Sequence, residues 1–224
     1  MNLIEWTGMI VAVWLQVAII SRLLSGAYRL YPMLLVFMAV NFLANVASAS
    51  AIFGSREWTA QASRMYWLCN TVQYGFVFAL QVHMLSQGMR GPRARRRVAY
   101  LIAGGIVFAV IAVWTAHHPR MNLWMTQVVR NIGFGSMILN LALWTSLLRN
   151  PERCRLMITA AIGIMLAGEA IGHSLRQMAQ GLVPLGNSVL VLTYFLALVL
   201  IWRGLARFGF QATEEPSAAL HPTG

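Results

Sequence analysis

Seven apolar stretches, each long enough to cross a lipid bilayer, divide this 224-residue chain. A membrane-spanning helix needs about 20 predominantly apolar residues to cross roughly 30 Å of hydrocarbon. Turn residues such as Ser25-Gly26 and Asn150-Pro151 separate the stretches. The pattern predicts an all-α protein, a polytopic membrane bundle of seven transmembrane helices. The predicted helices cover residues 4–24, 31–53, 60–88, 98–116, 122–148, 156–176 and 184–206.

Charged residues make up 10% of the chain and hydrophobic residues 58%. A soluble domain carries about 25% charged residues, so the composition is typical of a membrane protein. All 17 basic residues are arginine, and all six acidic residues are glutamate. Without lysine the bundle cannot form a retinal Schiff base. Without aspartate it cannot use an aspartyl nucleophile or an aspartate proton relay.

The arginine distribution predicts the orientation. With the N-terminus outside, twelve arginines lie on the inside (Arg22, Arg29, Arg90, Arg93, Arg95, Arg96, Arg97, Arg149, Arg153, Arg155, Arg203, Arg207) and three lie outside (Arg56, Arg120, Arg176). Because arginine accumulates on the cytoplasmic side, we expect the N-terminus outside and the C-terminus in the cytoplasm of a bacterial inner membrane. The net charge of +11 is attributed to this topology and not to nucleic-acid binding. Residues 209–224 are expected to form a short disordered cytoplasmic tail.

Five of the inside arginines, Arg90, Arg93, Arg95, Arg96 and Arg97, are clustered between the third and fourth predicted helices. Such a cluster next to a membrane binds anionic lipid with about 1 kcal/mol per charge. The simpler interpretation is a topology determinant. The expected partners are therefore the lipid bilayer and anionic lipids on its cytoplasmic side.

Two predicted helices carry a charge at membrane depth, Arg130 and Glu169. An ionisable residue there is expensive, so it marks either a function or a tight pair. At about 1.5 Å per residue, Glu169 lies about 21 Å above the inner edge when counted from Arg155, and Arg130 lies about 27 Å above it when counted from Leu148. We therefore expect the two charges to meet in the outer half of the bundle.

The presence of Arg130 and Glu169 at membrane depth allows three interpretations. Arg130 and Glu169 form a structural ion pair, Arg130 extends to the outer headgroups, or both belong to a polar pocket that opens to the periplasm. Helical spacing places further polar residues on the faces that would line such a pocket. The predicted pocket residues are Arg130, Glu169, His173, Asn131, Asn45, Asn70 and Arg64.

Small residues recur on the sixth predicted helix, with Gly163-x-x-x-Ala167 and Gly168-x-x-x-Gly172 as the clearest pairs. Such pairs let another helix approach closely. Packing within the bundle explains them, and a homodimer face is the alternative.

No catalytic residue, cofactor or metal site is predicted. The chain has no H-E-x-x-H or G-x-S-x-G motif and no phosphate-binding glycine loop. Cys69 and Cys154 are expected to stay unpaired, because one lies in an apolar run and the other in a basic turn facing the cytoplasm.

Four features of the sequence carry a family resemblance: Tyr31-Pro32, Tyr66-Trp67, the region of Arg130 and the run from Gly163 to Glu169. They are similar to features of an uncharacterised bacterial family of seven-helix integral membrane proteins. The resemblance implies the topology and no particular chemistry. The layout is also similar to the seven-helix sensor halves of some bacterial signalling proteins.

These observations predict a non-enzymatic inner-membrane protein that acts as a ligand-sensing or accessory subunit of a separate protein partner. One alternative is a small-solute transporter, for which internal repeats would be expected. Another is a membrane enzyme acting on lipid, with Glu169 and His173 as acid and base.

Overall fold

A computed structural model describes residues 3–54, 60–88, 121–149 and 152–206, together with Arg96, Tyr100 and Gly104. This described part is helical and contains no strand. Its six α-helices are α1 (Leu3–Leu24), α2 (Pro32–Gly54), α3 (Ala60–Gly88), α4 (Met121–Arg149), α5 (Arg153–Met178) and α6 (Val183–Ala206). Short 3₁₀ helices at Ala27–Arg29 and Gln180–Leu182 precede α2 and α6.

The helices begin and end within three residues of the corresponding apolar stretches. Proline at the first position of α2 is favourable, because that position has no intrahelical acceptor for an N–H group. Gly26 adopts a positive φ of 140°, which allows the chain to turn between α1 and the first 3₁₀ helix. Tyr100 and Gly104 are described and helical, but the rest of the predicted helix at 98–116 lies outside the described residues, as does the predicted tail at 209–224.

Among the described residues, three helices are long and apolar enough to cross a membrane, by length and composition. The qualifying stretches are Asn131–Leu148, Arg153–Arg176 and Gln180–Ala206. Shorter apolar stretches occur in α1 and α2, at Ile10–Leu24 and Pro32–Ala47. These features are those of a membrane protein.

The side chains are distributed as expected for a helical bundle in lipid. Large apolar residues face outward: Trp14 is 71% exposed, and Leu141 and Leu192 are each 66% exposed. Polar residues lie inside, where Gln16 and Gln81 are both fully buried. Because a water-soluble protein rarely exposes a continuous apolar surface, the outer face is suited to contact with acyl chains.

Each described helix packs against the next one along the chain, and α1 also packs against α6. The six helices therefore form a closed ring. The most extensive contact joins α5 and α6, which are connected by the second 3₁₀ helix.

Side-chain contacts give the direction of neighbouring helices. On α3 and α4, Tyr74 lies beside Gly133 and Gln81 donates a hydrogen bond to Asn140, with the same sequence offset of 59. These two helices are therefore parallel. Likewise α1 and α6 are parallel, because Gly8 lies beside Val191 near their starts and Arg22 bonds to Ala206 at their ends.

Because of these helix directions, the described arginines lie toward the two ends of the ring. Arg22, Arg29, Arg153, Arg155 and Arg203 lie at the end that we call the arginine-rich end. Arg64 and Arg176 lie toward the opposite, arginine-poor end.

A small polar cluster joins α2 to α5 at the arginine-rich end. The Tyr31 hydroxyl donates to Glu152 at 2.9 Å, and Glu152 also pairs with the Arg155 guanidinium at 2.9 Å. Tyr31 is 4% exposed, so its ring lies in the core while its hydroxyl reaches the ion pair. The cluster thus holds the start of α2 against the start of α5.

Glycine allows α5 and α6 to approach closely. A Cβ on Gly172 would lie 2.9 Å from the backbone oxygen of Gly186, and one on Gly186 would lie 2.7 Å from the backbone oxygen of Gly172. Gly168 contacts Thr193 of α6, and Gly163 faces Asn140 of α4. These three α5 glycines therefore contact neighbours within the same chain; no contact of this kind is described for Ala167.

Candidate functional site

A cavity of about 250 Å³ lies among α2, α3, α5 and α6, toward the arginine-poor end of the ring. One wall is apolar and includes Phe37, Val77 and Met165. The remaining lining is mainly polar and is supplied by all four helices. The polar lining residues are Asn41, Asn45, Tyr66, Asn70, Gln73, Tyr74, Glu169, His173, Thr193 and Tyr194.

The hydroxyl of Tyr194 on α6 is the centre of a hydrogen-bond network that joins four helices. Asn41 and Asn45 of α2 donate to it through their side-chain nitrogens, at 2.7 and 3.0 Å. The amide of Gln16 on α1 also contacts it. On the other side Gln73 of α3 donates to the side-chain oxygens of Asn41, at 2.7 Å, and Asn45, at 3.1 Å.

Hydrogen-bond chemistry gives this network a direction. A tyrosine hydroxyl accepts two hydrogen bonds and donates one, so one of its three amide neighbours must present an oxygen to it. Asn41 and Asn45 turn their side-chain nitrogens toward the hydroxyl and their oxygens toward Gln73, from which those oxygens accept. Gln16 Oε1 has no other partner in the described structure, so we assign it as the acceptor of the Tyr194 proton. Bonds then run from Gln73 through the asparagines and Tyr194 to Gln16.

Glu169 contributes the carboxyl group of the cavity. The Tyr74 hydroxyl of α3 donates a hydrogen bond to Glu169 Oε2. Tyr74 in turn packs its ring against Gly133 of α4, where an added Cβ would lie 3.1 Å from the ring. A glycine at this position of α4 therefore provides the space that the tyrosine needs in order to reach the carboxyl group.

Asn70 and His173 line the cavity with no hydrogen-bond partner among the described residues. They differ in this respect from Asn41, Asn45 and Gln73, whose amides bond to each other and to Tyr194. Asn70 and His173 are half-buried, so water or a ligand that enters the cavity can satisfy their polar groups. Asn70, His173 and the second oxygen of Glu169 are therefore the groups available to a bound molecule.

The structure brings together four of the seven residues predicted for the pocket: Glu169, His173, Asn45 and Asn70. Arg64 is exposed, Asn131 is half-buried, and neither lines the cavity. The side chain of Arg130 lies outside the described residues, as do Arg90, Arg93, Arg95 and Arg97, so the predicted ion pair and lipid contacts stay predictions. Of the arginine cluster, Arg96 is described; it is exposed and bonds to the Tyr100 hydroxyl at 3.0 Å.

Sequence reasoning missed Tyr194, Tyr74 and Gln16 as site residues. Asn41 and Gln73 carried a signal, because each shares a helical face with a predicted residue, Asn45 and Asn70 respectively. Gln16 is the single amide of α1 and interrupts the apolar run from Met9 to Ile20, which is also a signal. Tyr194 carried no such signal, because an isolated tyrosine in an apolar run is as typical of a lipid-facing surface as of a polar site.

In the described part of the chain, no group of three or more His, Cys, Asp or Glu residues is placed to hold a metal ion. What the cavity offers is amide, hydroxyl, imidazole and carboxyl groups around a small volume. Such a set suits hydrogen bonding to a small polar molecule. Comparison with known protein families, curated proteins and solved structures finds no match to this chain.

Proposed function

We propose that this chain is a multi-pass protein of the bacterial inner membrane that binds a small polar molecule and acts as a ligand-sensing or accessory subunit, without catalysis of its own. The observation that carries the proposal is that some polar side chains of the cavity are hydrogen-bonded to one another while others are not. Asn41, Asn45, Gln73 and Tyr194 bond to one another, while Asn70 and His173 line the cavity without a described partner.

The proposed orientation has the cavity opening toward the periplasm. The cavity is near the arginine-poor end, and arginine accumulates on the cytoplasmic side of membrane proteins. A molecule would then enter from the periplasm, and a protein partner would receive the signal within the membrane or at the arginine-rich end.

A binding role is favoured over conduction by the packing on the arginine-rich side of the cavity. Leu34 and Met38 of α2, Leu80 of α3, Ile162 of α5 and Leu198 of α6 are all at most 2% exposed there. These five side chains belong to one packed core cluster that fills the interior on that side of the cavity. A small-solute transporter would have to open this packing in every cycle.

Seven membrane crossings belong to the proposal, and helix directions support them. Since α3 and α4 are parallel, the 32 residues between Gly88 and Met121 must return the chain to the end where α3 began. The apolar run at 98–116 is long enough for that crossing. The parallel arrangement of α1 and α6 also supports an odd number of crossings between α3 and α4.

Reporter fusions test this topology. An alkaline phosphatase domain, which is active only outside the cytoplasm, is fused after residue 92 in one protein and after residue 119 in another. We expect activity from the second fusion alone, because residues 98–116 would carry its reporter across the membrane. Equal activity of both fusions would contradict the seventh crossing.

Native mass spectrometry of the protein, gently extracted from its own membrane, tests the binding site. We expect the wild type to carry a small molecule that is lost in His173→Leu and Asn70→Leu, because each variant removes a free polar group from the cavity. Ser174→Ala is the matched control, since Ser174 is exposed and its hydroxyl bonds to Ala170 of its own helix at 2.7 Å. A wild type without any bound molecule, or equal retention by all variants, would contradict the proposal.

Variants of Glu169 separate binding from folding. Glu169→Gln keeps an acceptor for the Tyr74 hydroxyl, so we expect a folded protein with weaker ligand binding; Glu169→Leu removes the acceptor and should cost about 1–3 kcal/mol of stability. Thermal unfolding in detergent and native mass spectrometry measure the two effects. If Glu169→Gln fails to fold and the exchange of Arg130→Glu with Glu169→Arg restores folding, the carboxyl group is part of a structural ion pair instead.

A further inference from the structure

A second cavity, of about 920 Å³, lies at the arginine-rich end. It is bordered by the end of α1, the 3₁₀ turn that follows, and the end of α6. Two arginines, Arg22 and Arg29, line it together with the aromatic residues Tyr28 and Trp202. None of the described residues that line it is acidic.

Arg22 is held in place at the wall of this cavity. Its Nη2 donates to the backbone oxygen of Ala206 at 2.8 Å, and its guanidinium lies over the ring of Trp202, 5.0 Å from the ring centroid. The cation–π contact fixes the plane of the guanidinium. A guanidinium has five N–H donors, and a single one is used by Ala206, so others remain available to an anion.

Arg29 reaches the same cavity because the chain folds back after α1. Gly26, at a φ of 140°, makes the turn, and Arg29 follows at the end of the 3₁₀ helix. Its side chain is exposed. Two guanidinium groups at one cavity without a carboxylate favour a phosphate group, because the planar N–H pairs of arginine match phosphate oxygens.

Apolar residues border the charged groups on the outside. Leu24 is 59% exposed and Leu30 is 52% exposed, and both line the cavity with Tyr28, which is 40% exposed. Tyrosine and tryptophan are typical of the membrane–water interface. A free phosphate ion would not use this border, whereas a lipid would place its phosphate at the arginines and its first acyl carbons at the leucines.

We infer that this cavity binds the phosphate headgroup of an anionic phospholipid through Arg22 and Arg29. Basic pockets between membrane helices on the cytoplasmic side are known to bind such headgroups. Arg22 and Arg29 do not belong to the arginine cluster at residues 90–97 of the sequence. The cavity that they line is also independent of the cavity that contains Glu169.

The test measures binding of phosphatidylglycerol to the full chain in phosphatidylcholine nanodiscs, by native mass spectrometry across a titration of phosphatidylglycerol. We expect Arg29→Gln to weaken binding about fivefold and the double variant Arg22→Gln/Arg29→Gln about 25-fold. Arg203→Gln is the matched control, because Arg203 is exposed at the same end and does not line the cavity. Its effect should stay below about twofold.

Arg29→Gln removes no described side-chain contact, so it tests binding even if the double variant unfolds. Equal binding by Arg29→Gln and Arg203→Gln would overturn the inference, since the lipid would then be held elsewhere. Displacement of phosphatidylglycerol by an equal concentration of inorganic phosphate would also overturn it, because the site would then recognise the ion and not the lipid. Preference for phosphatidylglycerol in the presence of excess inorganic phosphate is the result expected of a lipid site.

Discussion

Gly172→Ala is expected to destabilise the bundle by about 3 kcal/mol, although it adds a single methyl group. The new Cβ would lie 2.9 Å from the backbone oxygen of Gly186 and 2.6 Å from Cγ of Leu190. A side chain can rotate away, but the backbone of α6 cannot move without separating the two helices. Overpacking of this kind costs about 1–3 kcal/mol, and here the obstacle is backbone. Thermal unfolding in detergent, followed by tryptophan fluorescence, measures the effect.

Gly75→Ala is the matched control. Gly75 lies within a helix as Gly172 does, but no atom of the described residues lies within 4 Å of a Cβ added there. Since alanine favours helix over glycine by about 1 kcal/mol, this variant should be as stable as the wild type or more so. Equal stability of Gly172→Ala and Gly75→Ala would mean that α5 and α6 do not approach through Gly172.

Tyr194→Phe is expected to cost about 3 kcal/mol through the loss of one oxygen atom. The hydroxyl is the shared partner of the amides of Gln16, Asn41 and Asn45. Gln16 is fully buried and Asn41 is 5% exposed, so neither can turn to water for a replacement. Each buried polar group left without a partner costs about 1–3 kcal/mol. Thermal unfolding and the yield of monodisperse protein report the loss.

The comparison variant is Tyr100→Phe, which removes a hydroxyl from an exposed tyrosine whose described partner is exposed Arg96. Its stability should change by less than about 0.5 kcal/mol. A second comparison is Asn41→Leu, which removes one of the amides that bond to the Tyr194 hydroxyl and leaves the hydroxyl in place. We expect a smaller loss of stability than for Tyr194→Phe. Similar stability of Tyr194→Phe and the wild type would show that the amides have other partners.

Much of the fold could be predicted from local sequence. Helix bounds follow from apolar runs and from turn residues such as Gly26 and Pro32, because both act over a few neighbouring positions. Asn41 and Asn45 are one helical turn apart, so their common face could also be predicted. The distribution of arginine along the sequence predicted an arginine-rich end and an arginine-poor end of the bundle, and the described arginines lie at two ends of the ring.

The partners within the site could not be predicted, because they depend on which helices become neighbours. Tyr194 meets Gln16 across 178 positions, and Tyr74 meets Glu169 across 95. Depth along the helix axis predicted Arg130 as a partner of Glu169, and this pairing stays a prediction because the Arg130 side chain lies outside the described residues. Counting residues gives depth but not rotation about the axis, so the contact of the Tyr74 hydroxyl with Glu169 could not be predicted.

The contact between α1 and α6 also has a consequence for biosynthesis. A membrane protein is made from its N-terminus, so Gln16 is synthesised 178 residues before Tyr194. At about 5–20 residues per second, its amide waits about 10–40 s for its partner. During that interval α1 is a helix with an unsatisfied polar group and a weak tendency to remain alone in lipid. We therefore expect α1 to stay beside the insertion machinery, or another chaperone that shields its amide, until α6 emerges and the ring closes.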